Sequence, residues 1–465
     1  MAIASINPAT GEVIKTFDEI SDDELDRRLT AAAKAFEGYR LTDFSDRARW
    51  MRAAADILDS ELEAVAITMT QEMGKTLVAA RQEVQKCART CRFYADHAQG
   101  FLADEPADSE ATGAVRAYVT YQPLGPVLAV MPWNFPLWQA MRFAVPALMA
   151  GNVGLLKHAS NVPQTALFMQ DLFERAGFPD GVFQTLLISA RRVGPLLDDR
   201  RVVAATLTGS GPAGSAVASA AGRNVKKTVL ELGGSDPFVV MPSADIRRAA
   251  EVATTARLLN NGQSCINAKR FIVHAAVFEE FRDLFVEQMS SKVVGDPMDE
   301  KTDVGPLASE QQLSDISELV DDAIGKGASV LCGGKALKGA GYYYPPTVLG
   351  DITPEMRVHQ EEVFGPVATL YRVASIDEAI ALSNGTDFGL GSNLWTEDEE
   401  ERSRFVRDID SGMVFVNGNT TSFPELPFGG VRTSGYGREL SAHGIKEFCN
   451  AKTVWVGRGS SFSSE

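Results

Sequence analysis

Hydrophobic and polar positions alternate along this chain with a period that changes several times. Residues 5–20 read as a short hairpin, with Asn7-Pro8-Ala9-Thr10-Gly11 as the turn and Val13-Ile14 opening the return strand. Residues 22–103 carry helical patterns. Asp22-Asp23-Glu24 supplies an acidic first turn, and apolar residues recur at three and four over Arg47–Leu62. Ala114–Tyr121 is β-branched and aromatic with alternation, closed by Pro123-Leu124-Gly125-Pro126. From Val127 the text becomes strand, loop and helix in turn. Val127–Met131, Val153–Lys157, Phe183–Ile188 and Val202–Leu207 predict strands, separated by helices over 137–149, 163–176, 191–198 and 212–221.

A second set runs from Pro237 to about Asn417. Its predicted strands are Pro237–Met241, Arg270–His274, Ser329–Leu331, Val367–Tyr371, Leu390–Trp395 and Met413–Asn417. Helices over 245–260, 276–291, 309–326, 376–384 and 398–410 lie between them. Such alternation predicts α/β units with parallel sheets covered on both faces. Two units meet near Leu232-Gly233-Gly234, the tail Lys452–Gly457 predicts one more strand, and 458–465 reads as a flexible tail.

Composition narrows the function classes. At 465 residues with 45% hydrophobic and 23% charged residues, the chain can bury a core of two to three domains. A formal charge of −16 argues against a nucleic-acid backbone or an anionic membrane surface as partner. No run of about 18 apolar residues lacks charges, and the N-terminus has no signal-peptide pattern, so a cytoplasmic protein is expected. The five cysteines are scattered and make no disulfide framework, and the five histidines form no ligand-spaced cluster, so no metal site is expected.

Chemistry concentrates in a few stretches. Cys265 ends Asn260-Asn261-Gly262-Gln263-Ser264-Cys265, between a helical and a strand-like run. A turn there offers free backbone N–H groups, which favour a nucleophilic thiolate; the plain alternative is a buried small hydrophobe. Glu231, in Leu230-Glu231-Leu232-Gly233-Gly234, is placed for burial with a raised pKa, which suits a general base, or for a structural ion pair. Asn134, in Pro132-Trp133-Asn134-Phe135-Pro136, could aim its amide at an oxyanion or simply cap a turn. Thr208-Gly209-Ser210-Gly211-Pro212-Ala213-Gly214 follows a strand and opens a helix, which describes a dinucleotide site or an ordinary turn. At the end of the second strand, Lys157, His158 and Ser160 put no acid where NAD sites bind ribose, which describes a pocket that tolerates a 2′-phosphate or a solvated lysine at a strand end. Glu361-Glu362 before Phe364-Gly365-Pro366 could grip a ribose diol or form a solvated loop. Arg142 could face an anionic substrate group or hold a surface charge.

Together these stretches resemble the aldehyde dehydrogenase superfamily over nearly the whole chain. The carriers are PWNFP at 132–136, LK at 156–157, TGS at 208–210, LELGG at 230–234, NNGQSC at 260–265, EEVFGP at 361–366 and PFGGVRTSGYGRE at 427–439. The branch most similar is the bacterial succinate-semialdehyde type. The resemblance implies a Rossmann-like cofactor domain (1–103 and 124–232), an α/β catalytic domain (233–446) and a small oligomerisation sheet (104–123 and 447–457), assembled as a homodimer or homotetramer. It implies Cys265 as nucleophile, Asn134 and the Cys265 backbone N–H at the oxyanion, and Glu231 activating water. Trp133, Lys157, Ser160, Gly209, Ser210, Gly214, Glu362 and Phe364 would surround NADP, with NAD possible. Many relatives carry Lys at the position of Ser235, and NAD-preferring ones Glu at that of Ser160; the second departure favours NADP.

Asn267 and Ala268 follow the nucleophile, so the neighbouring-cysteine redox switch of some relatives cannot form. For substrate, the resemblance implies a short ω-carboxylate aldehyde such as succinic semialdehyde. Arg142 matches one arginine of the animal enzymes' carboxylate clamp; the second falls on Leu259, with Ser422 as a substitute hydroxyl. Competing readings are a broad short-chain aldehyde dehydrogenase, a coenzyme-A acylating member, a thiol hydrolase and a non-catalytic structural homologue. The hydrolase lacks a nearby histidine, and the homologue would have lost Cys265, Glu231 or Asn134.

Overall fold

A computed structural model describes residues 3–458. The hairpin forms as the turn residues predict, Ile3–Ile6 pairing antiparallel with Val13–Phe17. Four helices follow: Asp22–Tyr39, Phe44–Ser60, Leu62–Met73 and Leu77–Phe101. Ser21 and Thr76 cap the first and fourth by accepting from the backbone N–H of Glu24 and Ala79, which satisfies donors the helix itself cannot. The second helix stops at Ser60, and Glu61 stands between it and the third.

The first α/β unit is a six-stranded sheet. Its centre is Pro126–Val130, flanked in parallel by Val153–Lys157 on one side and Ala204–Thr208 on the other. Phe183–Thr185 lies beyond the former and Lys227–Glu231 beyond the latter. Consecutive strands thus run outward in one direction and then return to the other side of the central strand. The reversal leaves a crevice at the strands' carboxyl ends, where open α/β sheets bind ligands. Trp138–Ala150 is buried along its whole length against this sheet, which is why its sequence lacks a polar face.

The second unit is a seven-stranded sheet with Asp236–Val240, Ala268–His274 and Val367–Val373 near its middle and Gly391–Trp395 and Met413–Val416 on one flank. A third sheet joins Arg116–Pro123 to Cys449–Val456 and the two-residue strand Glu105–Pro106, all antiparallel. Residues 459–465, most of the tail read as flexible, lie outside the described residues.

The sheets differ from the all-parallel expectation at their edges. Ser329–Cys332 pairs antiparallel with Thr347–Gly350, and Gly435–Tyr436 pairs antiparallel with Glu231 and Leu230. Ser329–Cys332 follows from its own pattern, whereas Thr347–Gly350 and Gly435–Tyr436 are short segments whose strand character comes from the neighbour they meet. The Gly435–Tyr436 contact carries residues late in the chain onto the first sheet, and Phe428, Leu440 and Ile445 join its core. Among the described residues no helix is long and apolar enough to cross a membrane.

Candidate active site

Cys265 follows a loop whose residue types are dictated by its backbone. Asn260 and Asn261 both adopt left-handed conformations, at φ 58°, and Gly262 follows at 76°. Asparagine tolerates that region better than most residues. A Cβ on Gly262 would sit 2.3 Å from the backbone of Gly365. The asparagine side chains then fasten the loop. Asn261 donates to the carbonyls of Gly74 and Pro306, and Asn260 to those of Asn134 and Gln263. Buried Lys269 donates to the carbonyls of Ser264 and Cys265 at 3.1 and 2.7 Å. The nucleophile candidate is therefore held by side chains from both flanks of its loop.

Two cavities meet at Cys265, and Gln139 lines both. The first, about 260 Å³, lies at the carboxyl edge of the six-stranded sheet and is lined by Trp133, Asn134, Gly209, Ser210, Glu362 and Phe364. Ser210 begins the helix Gly211–Arg223 without a side-chain cap, so first-turn amides remain free, and a Cβ on Gly211 would meet nothing within 4 Å. Pro212 offers no N–H and Gly214 N–H bonds Ser210 O, so the Gly211 and Ala213 amides of this open helix start are the ones that fit a dinucleotide's phosphates. Gly214 serves packing, since a Cβ there would come within 2.5 Å of Leu232. Gly233 leaves room for the Glu362 carboxylate, which accepts from Gly234 N–H at 3.1 Å and pairs with Lys269 at 3.3 Å. Glu362 is thus anchored, and the solvated-loop alternative does not describe it. Trp133 and Phe364 meet edge to face at 5.8 Å. Lys157 ends its strand largely buried, and desolvation lowers its pKa. Ser160, three residues on, is half-buried.

The second cavity, about 210 Å³, opens on the other side of Cys265. Its walls include Lys86, Trp138, Arg142, Leu259, Thr421, Ser422 and Phe428. Arg142 is 2% exposed and forms an ion pair with buried Glu439. It also donates to Thr208 Oγ1 at 3.3 Å and lies 4.3 Å over the Phe428 ring. So Arg142 reaches the cavity wall, but a carboxylate of this chain already holds its charge.

Glu231 is buried at the end of its strand, and neither carboxyl oxygen has a hydrogen-bond partner. Such orphaned buried groups are uncommon and ask for a functional reason. Burial, then the charge of Glu439, raises its pKa well above the usual carboxylate range; Arg142 offsets this in part. Gly429 leaves space for it, since a Cβ there would lie 2.6 Å from Glu231 Oε1. Asn134 donates to Gln263 O at 3.1 Å and keeps a buried Oδ1 without a partner.

The thiol departs from the expectation drawn from its turn. Burial pushes Cys265 up to about 12, only partly offset by Arg142 and Lys269. Dehydration of the thiolate outweighs the stabilisation expected from nearby backbone groups. Lys86, Gln139 and Lys269 escaped the sequence reading. Their neighbours in sequence are ordinary helix, strand or loop text, and only the fold brings them to Cys265.

The pair Arg142–Glu439 carries a stability prediction. Arg142→Leu leaves two buried carboxyl groups without their shared cation. It should cost about 3–5 kcal/mol, read as a lowered midpoint in denaturant unfolding. An unchanged midpoint would mean that the cluster is compensated elsewhere.

Fold and cleft define a nucleotide-dependent dehydrogenase with a thiol at its centre. The family model described as "Aldehyde dehydrogenase family" matches residues 1–454, and the chain belongs to that family. It is 62% identical over 458 residues to the Mycobacterium ulcerans (strain Agy99) protein named succinate-semialdehyde dehydrogenase (NADP(+)) 1, covering 98% of this chain and 100% of that one. The same name belongs to a Mycobacterium tuberculosis (strain ATCC 25618 / H37Rv) protein, 60% identical over 456 residues, covering 98% of this chain and 100% of that one. Among solved structures, the succinic semialdehyde dehydrogenase from Streptococcus pyogenes in complex with NADP+ superposes with a TM-score of 0.95 at 37% identity, covering 98% of this chain and 100% of that one.

Proposed function

We propose that this chain oxidises succinic semialdehyde to succinate, with NADP as hydride acceptor. The observation that carries the reaction type is the position of Cys265 on the shared wall of two cavities, one built for a nucleotide and the other open to a small substrate. The substrate and cofactor follow from the full-length relatives above and from the absence of an acid at Ser160.

Cys265 attacks the aldehyde carbon as a thiolate, giving a thiohemiacetal. The Asn134 amide and the Cys265 backbone N–H stabilise the oxyanion. Trp133, Glu362 and Phe364, with the helix start after Gly209 and Ser210, would hold NADP, which would supply the hydride acceptor. Lys157 and Ser160, at the end of the strand Val153–Lys157 and just beyond it, would hold the adenosine ribose. Loss of hydride leaves a thioester on Cys265. Glu231 takes a proton from water, whose oxygen attacks the thioester carbon; the C–S bond breaks and the acid leaves. An unpartnered buried carboxyl suits this step because nothing competes for its lone pairs.

On the same reading, residues 1–103 and 124–232 form the cofactor domain, 233–446 the catalytic domain, and 104–123 with 447–457 a surface for a second copy. The last is supported by the edge strand Cys449–Val456, on which Trp455 is 56% exposed. Five free cysteines suit a reducing, cytoplasmic setting.

The test is a panel on purified protein: NADP and NAD in parallel, with succinic semialdehyde, glutaric semialdehyde, butanal and betaine aldehyde. Succinic semialdehyde with NADP should give the highest kcat/KM, read as reduced-nicotinamide absorbance. A neutral aldehyde in first place would remove the substrate assignment, and NAD in first place the cofactor assignment.

A further inference from the structure

The second cavity holds a cation that the chain does not neutralise. Lys86 lies on the cavity-facing stripe of the helix Leu77–Phe101. Its ammonium donates to Ser422 Oγ at 2.6 Å and stands 4.3 Å from the Trp138 ring. Among the described residues it has no ion-pair partner. The carboxylate one turn back, Glu83, is already engaged by Lys75 and by the backbone N–H groups of Leu137 and Trp138. Arg142, the other cation on this wall, is held by Glu439.

A half-buried ammonium resting on an indole and a single hydroxyl has room for one more acceptor. A carboxylate from the substrate is the acceptor whose charge the site lacks. We propose that Lys86 is a further residue that binds the distal carboxylate of the aldehyde, with Ser422 beside it, on the same cavity wall as Arg142. The assignment rests on the succinic semialdehyde reading and identifies what makes that substrate preferred. Burial and the neighbouring Arg142 bring the Lys86 ammonium down to about 8, which leaves it mostly charged at neutral pH.

The competing role for Lys86 is a tie between its helix and the loop carrying Ser422. Substrate charge separates the two. Succinic semialdehyde, its methyl ester and butanal are compared on the parent, Lys86→Met and Lys86→Arg. Lys86→Met keeps a stem that can rest on Trp138. It should lower the ratio of kcat/KM for the acid over the ester by about 50-fold, as loss of a hydrogen bond to a charged group predicts. Lys86→Arg should restore much of that ratio. If Lys86→Met does not fold, Lys86→Gln reads the same ratio. A ratio equal to the parent's, whatever the absolute rates, overturns the assignment and leaves Lys86 as a tie. A parent that does not itself prefer the acid to the ester removes the succinic semialdehyde reading as well, so the two failures are distinguishable.

Discussion

Cys265→Ser should lose roughly 10³–10⁵-fold in kcat/KM for aldehyde oxidation while keeping its fold and its cofactor site. The sulfur is already a reluctant anion, since burial pushes its pKa up to about 12. A hydroxyl in the same place is far harder to ionise, and the neighbouring buried carboxyl Glu231 is itself biased towards its protonated form. No histidine compensates: His158 donates from Nε2 to Pro136 O at 2.7 Å and accepts at Nδ1 from Ala159 N–H, and burial lowers its pKa to about 4. Reduced-nicotinamide absorbance gives the rate, and cofactor binding by fluorescence titration checks that the cleft survives. Parental activity in the serine variant would rule out the thiohemiacetal route.

Glu231→Gln should separate the two halves of the reaction. Thioester formation depends on Cys265, so a rapid burst of about one reduced nicotinamide per active site should remain. Turnover after the burst should fall by about 10²–10⁴-fold, the usual contribution of a positioned base. The parent's pH dependence follows from the same carboxyl. On the proposed mechanism its charged form activates water, and burial with the Glu439 charge disfavours that form, so the pKa is raised. Below that pKa the group is protonated and deacylation is slow; turnover rises as pH passes through it. The rising limb therefore lies above the ordinary carboxylate range, and the glutamine variant should lack it. A variant that loses burst and turnover alike would place Glu231 in the acylation half instead.

Much of this site was legible because its residues are constrained locally. Left-handed backbone at residues 260–262 needs asparagine and glycine, and Gly233 and Gly429 must be bare to admit Glu362 and Glu231. Such requirements leave letters in the sequence. The thiol's protonation was not legible, because it depends on how completely water is excluded from its side of the cleft. Arg142 was readable as a cation near the substrate, but the carboxylate that holds it lies almost three hundred residues away in the chain, at Glu439. Lys86 left no signal, being one more polar residue on a long amphipathic helix.

The class of fold and most of the alternating strands and helices were determined by the chain alone, since periodicity acts over a few residues, and the stretches that carry Cys265, Glu231 and Asn134 were marked by their resemblance to a family. The tertiary structure decided which charges are spent and which are free. Whether Arg142 or Lys86 can meet an incoming carboxylate depends on groups brought together from the helix Leu77–Phe101, the helix Trp138–Ala150 and the loop near Ser422. Electrostatic pairing and desolvation are properties of neighbours in space, and no local pattern encodes them.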